Sequence, residues 1–317
     1  MIHVLCLNPA IDKFYEIDGF AAGEDYPGQR PRCINGGKGV NVARALCQLG
    51  ERPTLYAYLG DGARALVQEM RPLCPCVFFD VPGSCRTTIN ILDRSSGRET
   101  VITESGPTIC PAHVHQLMEM LEDSIGKGDI VVCSGSIISG APADIYAQVS
   151  RLCEQVGARC VLDCNAGTLP ASLENARYAL GKPNERELCA LLAEARTQEP
   201  EKIAALSRRL MPPYGALLVS MGAAGGVLVT KEAAVYAPAA KIQVKSTVGS
   251  GDACFAGAVY AMARGMNMEE TLPLAMACGA ANAAREDTGV GDAAAVFALA
   301  REMEIWRIAE NRATERF

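Results

Sequence analysis

The chain has 317 residues, of which 49% are hydrophobic and 21% charged, and its formal net charge is −6 at pH 7. That length and apolar content suffice for one large buried core, while scattered Lys and Arg on an acidic chain argue against nucleic acid or an anionic membrane as partner. No run reaches the roughly 18 apolar residues of a membrane span, and Asp12, Lys13, Glu16 and Asp18 interrupt the stretch where a signal peptide would be apolar, so a cytoplasmic protein is expected.

Apolar, β-rich runs alternate with longer amphipathic ones, which predicts an α/β fold built on a doubly wound parallel sheet in a single domain. Core strands are expected at 2–7, 54–59, 129–134, 159–164, 178–181 and 216–221. Helices are expected at 39–49, 61–71, 111–124, 142–156, 184–194, 200–211, 250–264, 268–285 and 292–303, with a late hairpin at 226–230 and 234–238. Two segments break the alternation. Residues 13–34 lack a helical period, and 86–104 read as two strands joined by the turn Arg94-Ser95-Ser96-Gly97-Arg98. Together they predict a small sheet across the carboxyl edge of the main one, where open α/β sheets bind ligands. The charged tail from Glu304 to Phe317, with the single Trp306, is expected to cap the surface. Most of the fourteen cysteines, such as Cys6, Cys133, Cys160, Cys254 and Cys278, sit in apolar runs and read as small hydrophobes. Cys74-Pro75-Cys76 lacks zinc-knuckle spacing, and His113 and His115 read as a surface pair rather than a metal site.

Chemistry-bearing motifs punctuate this pattern. Asp12, in Asn8-Pro9-Ala10-Ile11-Asp12 after the first strand, either binds sugar hydroxyls or closes an Asx-type turn. In Asn35-Gly36-Gly37-Lys38-Gly39-Val40-Asn41 a flexible turn opens a helix: Gly36 and Gly37 let the chain wrap a small polyol, Lys38 supplies charge, and Asn41 both donates and accepts. It is not a Walker A loop, because Gly39 follows the lysine. Arg86 lies between small residues in a strand, where its guanidinium can fork onto a phosphate or simply face solvent. Ser134-Gly135-Ser136 ends a buried strand, so Ser136 can reach the same ligand or only turn the chain. In Lys182-Pro183-Asn184-Glu185-Arg186-Glu187, Asn184 and Glu187 have capping-box spacing.

Ser246-Thr247-Val248-Gly249-Ser250-Gly251-Asp252 joins a glycine-rich turn to a carboxylate where a helix begins. Gly249 and Gly251 permit close backbone approach, and amides and dipole at the helix start suit a phosphate. An ionised aspartate there repels the anion, so Asp252 is either a general base for an attacking hydroxyl or an ordinary N-cap.

The two glycine motifs, with the intermediate landmarks in the same order, resemble the signatures of the ribokinase-like, PfkB-type carbohydrate kinases over residues 1–300. Asn-Pro-Ala-Ile-Asp at 8–12, Asn-Val-Ala at 41–43 and Arg86-Thr87 look most like the phosphosugar branch, which holds 1-phosphofructokinase and tagatose-6-phosphate kinase. The resemblance implies a ribokinase-like α/β/α sandwich with a β lid over the sugar, and ATP-dependent phosphorylation of a ketohexose monophosphate, foremost fructose 1-phosphate. Asp252 would be the base, with Gly249, Ser250 and Gly251 as the anion hole. Arg86 and Lys38 would hold the phosphate already on the substrate, beside Asp12, Gly36, Gly37, Asn41 and Ser136. Lys182, Asn184, Glu187, Ser220, Gly222, Gly225 and Asn282 would serve the nucleotide, Glu187 reaching Mg²⁺ through water and Asn282 lying near the adenine or else facing solvent. ATP and Mg²⁺ are the implied cofactors, a monovalent cation is left open, and the unpaired edges of the lid suit a homodimer. Three departures bear on the substrate: Ile137-Ile138 stands where relatives carry proline, Thr88 where many have a second arginine, and Ser250 where alanine is commoner. Tagatose-6-phosphate kinase, a free-sugar or nucleoside kinase, and a non-catalytic sugar-binding regulator remain as alternatives.

Overall fold

The structure, a computed structural model, describes residues 1–165 and 167–309. Its strands are β1 (Ile2–Cys6), β2 (Ala10–Ile17), β3 (Arg32–Gly36), β4 (Thr54–Asp61), β5 (Cys76–Ser84), β6 (Arg86–Asp93), β7 (Arg98–Thr103), β8 (Ile130–Ser134), β9 (Arg159–Asp163), β10 (Tyr178–Gly181), β11 (Tyr214–Ser220), β12 (Gly226–Thr230), β13 (Ala234–Ala237) and β14 (Trp306–Arg307). Its helices are α1 (Lys38–Gln48), α2 (Arg64–Met70), α3 (Pro111–Ser124), α4 (Ile145–Val156), α5 (Leu169–Leu173), α6 (Glu185–Leu191), α7 (Pro200–Arg209), α8 (Ser250–Ala263), α9 (Met268–Ala283) and α10 (Ala293–Glu302).

Ten strands form the main sheet in the order β14-β13-β12-β11-β10-β9-β8-β1-β4-β5. From β11 to β5 every pairing is parallel, and β12, β13 and β14 add on antiparallel. Helices cover both faces, which is why the central strands are continuously apolar. Along β1, Ile2, Val4 and Cys6 enter a core shared with α1, α8, α9 and α10, while Leu5, and Leu7 just past the strand, enter the opposite core with α3, α4 and α7. This is the α/β doubly wound sandwich that the alternating pattern predicts.

Two features of the main sheet exceed the sequence expectation. Strand β5 is not among the expected strands; it contains Pro82 and lies at the edge of the sheet, where proline is tolerated. The tail contributes β14, with Trp306 stacked on Tyr236 at 5.5 Å between ring centroids; the rest of that tail, 310–317, lies outside the described residues.

The second sheet has the order β3-β2-β6-β7. It starts earlier than the pattern breaks suggest, since β2 begins at Ala10 and β3 runs to Gly36. Asp12 is therefore a strand residue facing Ile34 and Thr88 across the register, not the end of an Asx turn. The histidines do not form a pair: His115 is exposed, while the His113 ring accepts the Cys110 N–H at 3.2 Å in the cap of α3.

Candidate active site

Five chain turns converge at the carboxyl edge of the main sheet. Strands β1, β8, β9, β10 and β11 end at Cys6, Ser134, Asp163, Gly181 and Ser220, and α1 and α8 start beside them. Helix α1 begins at this edge because Gly37 caps it at φ 101°, a conformation open mainly to glycine. Gly39 then lets it settle on β1, where an added Cβ would lie 2.6 Å from the Leu5 carbonyl oxygen.

Helix α8 opens on Gly249 at φ 78°, with no side chain capping its first turn. The Ser250 N–H turns back to the Thr247 carbonyl at 3.2 Å and the Ala253 N–H starts the ladder on Gly249 at 2.8 Å. The amides of Gly251 and Asp252 are left between them, as the orphan donors of a helix start. The Ser250 amide, expected among the anion donors, is thus committed to its own chain. The Ser250 hydroxyl accepts from Asn282 at 3.0 Å, which turns one lone pair away from the anion turn.

Asp252 is buried at this helix start, and its Oδ2 accepts the Asn41 Nδ2–H at 2.8 Å. Burial pushes its carboxyl above the usual range and the Asp163 charge adds to that, while Lys38, the Asn41 hydrogen bond and Lys182 oppose it. Lys38 Nζ donates to Asp163 Oδ1 at 2.9 Å, and Lys182 Nζ lies 3.4 Å from the other oxygen of the same carboxylate. Burial works against the Lys38 ammonium, yet Asp163 and Asp252 outweigh it and raise its pKa, with Glu187 contributing. Lys182 also reaches the anion turn: a Cβ on Gly251 would stand 3.3 Å from its Nζ.

A second group of residues lies where the small sheet meets the main one. Arg86 donates through Nη2 to the Asn8 carbonyl at 3.2 Å, and Asn8 Nδ2 donates to Ser136 Oγ at 3.2 Å. Arg86 Nε and Asn8 Oδ1 are buried with no hydrogen-bond partner among the described residues. Buried polar atoms left so are rare and point to a ligand. Asp12 lies against Gly36, where an added Cβ would collide with its Oδ2. Burial raises the Asp12 pKa, opposed by the Thr88 hydroxyl and the charges of Arg86 and Arg44.

A third group follows β10 and β11. Asn184 Oδ1 accepts the N–H groups of Arg186 and Glu187 at 3.0 and 2.9 Å, and Glu187 Oε2 accepts the Asn184 N–H at 2.9 Å. The spacing at 184–187 is therefore a capping box. Asn184 bridges to Ser220, which brings the box beside the turn where Gly222 and Gly225 take φ 59° and 93°.

Asn282 is neither solvent-facing nor presenting a free amide to a base. It is fully buried; its Nδ2 donates to the Val248 carbonyl at 2.7 Å and to Ser250 Oγ at 3.0 Å, and its Oδ1 accepts the Gly289 N–H at 2.8 Å. It braces the turn before α8. Sequence reasoning missed Asp163 and Arg44. An aspartate closing the apolar strand Cys160-Val161-Leu162, and a lone arginine inside Val42-Ala43-Arg44-Ala45-Leu46, were the available signals.

Residues 3–294 match the model of the pfkB family carbohydrate kinases. The chain belongs to this family. A pfkB kinase transfers a phosphoryl group to a carbohydrate with ATP as donor, and two converging glycine turns with a buried carboxylate suit that chemistry. Among the relatives of this pfkB chain is the 1-phosphofructokinase of Bacillus subtilis (strain 168), 29% identical over 291 residues, which cover 91% of this chain and 94% of that protein. Phosphofructokinase-2 from Escherichia coli, solved in complex with substrates and products, superposes with a TM-score of 0.82 at 25% identity, over 95% of this chain and 99% of that one. A Staphylococcus aureus protein assigned provisionally as a phosphofructokinase gives a TM-score of 0.80 at 27% identity, over 97% and 99% of the two chains. No helix among the described residues is long and apolar enough to cross a membrane.

Proposed function

We propose that this carbohydrate kinase phosphorylates the primary hydroxyl of a ketohexose monophosphate, with fructose 1-phosphate as substrate and fructose 1,6-bisphosphate as product. The observation that carries the reading is Asp252, buried at an uncapped helix start beside free amides and two lysines. Asp252 takes the proton from the sugar hydroxyl as its oxygen bonds to the γ-phosphorus of ATP, and the bond from that phosphorus to ADP breaks. The amides of Gly251 and Asp252, with Lys182, stabilise the charge on the transferring group.

Arg86, with its unpartnered Nε, and Ser136 grip the phosphate already on the sugar, with Lys38 adding charge; Asp12, Gly36 and Gly37 line the sugar. The second sheet acts as the lid. Asn184, Ser220, Gly222 and Gly225 border the nucleotide, and Asn282 holds the turn beside it. For Mg²⁺ the donor chemistry fits: Glu187 spends only Oε2 in the capping box, and its other oxygen can take a metal-bound water. When bound to the nucleotide, Mg²⁺ neutralises charge on its phosphates. The edge strand β7, with Val101 and Ile102 exposed, supports a homodimer through this sheet.

The deciding experiment is an ADP-release assay on fructose 1-phosphate, tagatose 6-phosphate, fructose 6-phosphate, fructose and ribose. Highest kcat/KM on fructose 1-phosphate is expected; faster turnover of an unphosphorylated sugar would overturn the phosphosugar reading.

A further inference from the structure

Arg44 is a heavily bonded side chain near the site, and it touches the substrate positions only through Asn41. It is buried on α1. Its Nε donates to Glu69 Oε1 at 2.7 Å, its Nη2 to the Asn35 carbonyl at 2.6 Å, and its Nη1 both to Thr288 Oγ1 at 2.7 Å and to Asn41 Oδ1 at 2.8 Å. Asn35 Nδ2 closes the set by donating to Glu69 Oε2 at 2.7 Å.

A guanidinium has only donors, so the Asn41 atom facing it must be the carbonyl oxygen. The amide nitrogen is then forced toward Asp252, where it donates at 2.8 Å. With Asn41 reversed, two donors would face each other at Arg44 and two acceptors at Asp252. The other arms of Arg44 reach β3 of the small sheet through Asn35, α2 through Glu69, and Thr288, whose Cγ2 would lie 2.9 Å from a Cβ on Gly249.

We infer that Arg44 is a positioning residue: its fork orients the Asn41 amide onto Asp252 and ties the small sheet and the Thr288 segment to the helix that carries that amide. The inference deepens the proposed kinase reading and rests on it for its effect on turnover. The charged or titratable groups facing Asp252 are Lys38 and Cys6, Asp163 and Lys182; Arg44 is paired with Glu69, and its charge acts on Asp12, Cys47 and Asp287. Arg44 reaches Asp252 through Asn41, whose hydrogen bond favours the carboxylate.

The test is Arg44→Lys, which keeps the charge and removes the fork, read by ¹³C titration of the Asp252 carboxyl, assigned with Asp252→Asn, and by the pH profile of kcat/KM. A rise of the Asp252 pKa by about one unit or more is expected, as for a lost hydrogen bond to a charged group. The acid limb of the rate profile should move up equally, and activity should recover as pH rises. Glu69→Gln, at a half-exposed position that retains an oxygen acceptor, should shift both in the same direction by less. An unmoved Asp252 titration in both folded variants would overturn the inference. Absence of sugar-dependent ADP release in the wild type would instead overturn the kinase reading, and the carboxyl titration would still decide the role of Arg44.

Discussion

The start of α8 and the small sheet each hold a buried aspartate, yet they are finished to different degrees. At α8 the groups around Asp252 hold one another: Asn41 on the carboxylate, two lysines on Asp163 and Asn282 across the turn, with Asp163 Oδ2 held by an ion pair to Lys182 rather than by a hydrogen bond. Around Asp12, Arg86 Nε and Asn8 Oδ1 are buried without a partner among the described residues. The first region is organised before any ligand arrives, as charge stabilisation in a transition state requires. The second keeps one donor and one acceptor in reserve, which suits the proposed recognition role, because such a group is satisfied only by the right substrate.

This contrast breaks first at Asp252. Asp252→Asn should lower kcat about 10²–10⁴-fold, the usual worth of a general base, while equilibrium binding of fructose 1-phosphate and ATP persists. Turnover near wild type would remove the base assignment. In the small sheet the damage should fall on KM instead. Arg86→Ala removes charge-assisted hydrogen bonds worth about 1.5–3 kcal/mol, so KM for a phosphorylated sugar should rise roughly ten- to a hundredfold and KM for its unphosphorylated analogue far less. Equal effects on both would argue against a phosphate contact.

The same two regions differ in how much of them is legible in sequence. The turns at 36–39 and 249–251 announce themselves because positive φ and close backbone approach select glycine, and Gly37 and Gly249 do take φ 101° and 78°. The alternating apolar pattern likewise yields the main sheet. Asp163 is silent because its meaning arises only when β9 pairs with β8 and β10 and brings Lys38 and Lys182 to one carboxylate, residues far apart in the chain. Arg44 is missed, and the solvent-facing alternative for Asn282 fails, for a related reason: nothing local marks a polar helix residue as buried, but α1 and α9 pack within the helical layer that includes α8. Long-range pairing, not local pattern, decides those positions.

The smallest effect tests whether the recognition region is tuned through Asp12. Thr88 faces Asp12 across β2 and β6, and its hydroxyl opposes the rise that burial imposes on the Asp12 pKa. Thr88→Val keeps the shape of the side chain and removes the hydroxyl beside Asp12, an interaction worth about 1 kcal/mol or about fivefold in an equilibrium. The Asp12 pKa then climbs further above the ordinary carboxylate value, so a smaller fraction is ionised at any pH near it. If ionised Asp12 accepts sugar hydroxyls, KM for fructose 1-phosphate should increase by about fivefold at the acid end of the activity range and return toward wild type as pH rises and the carboxylate reforms. Because α8 is untouched, kcat and its acid limb should stay in place. A KM change independent of pH would mean that Thr88 meets the substrate directly and that the Asp12 carboxylate is not what the sugar reads.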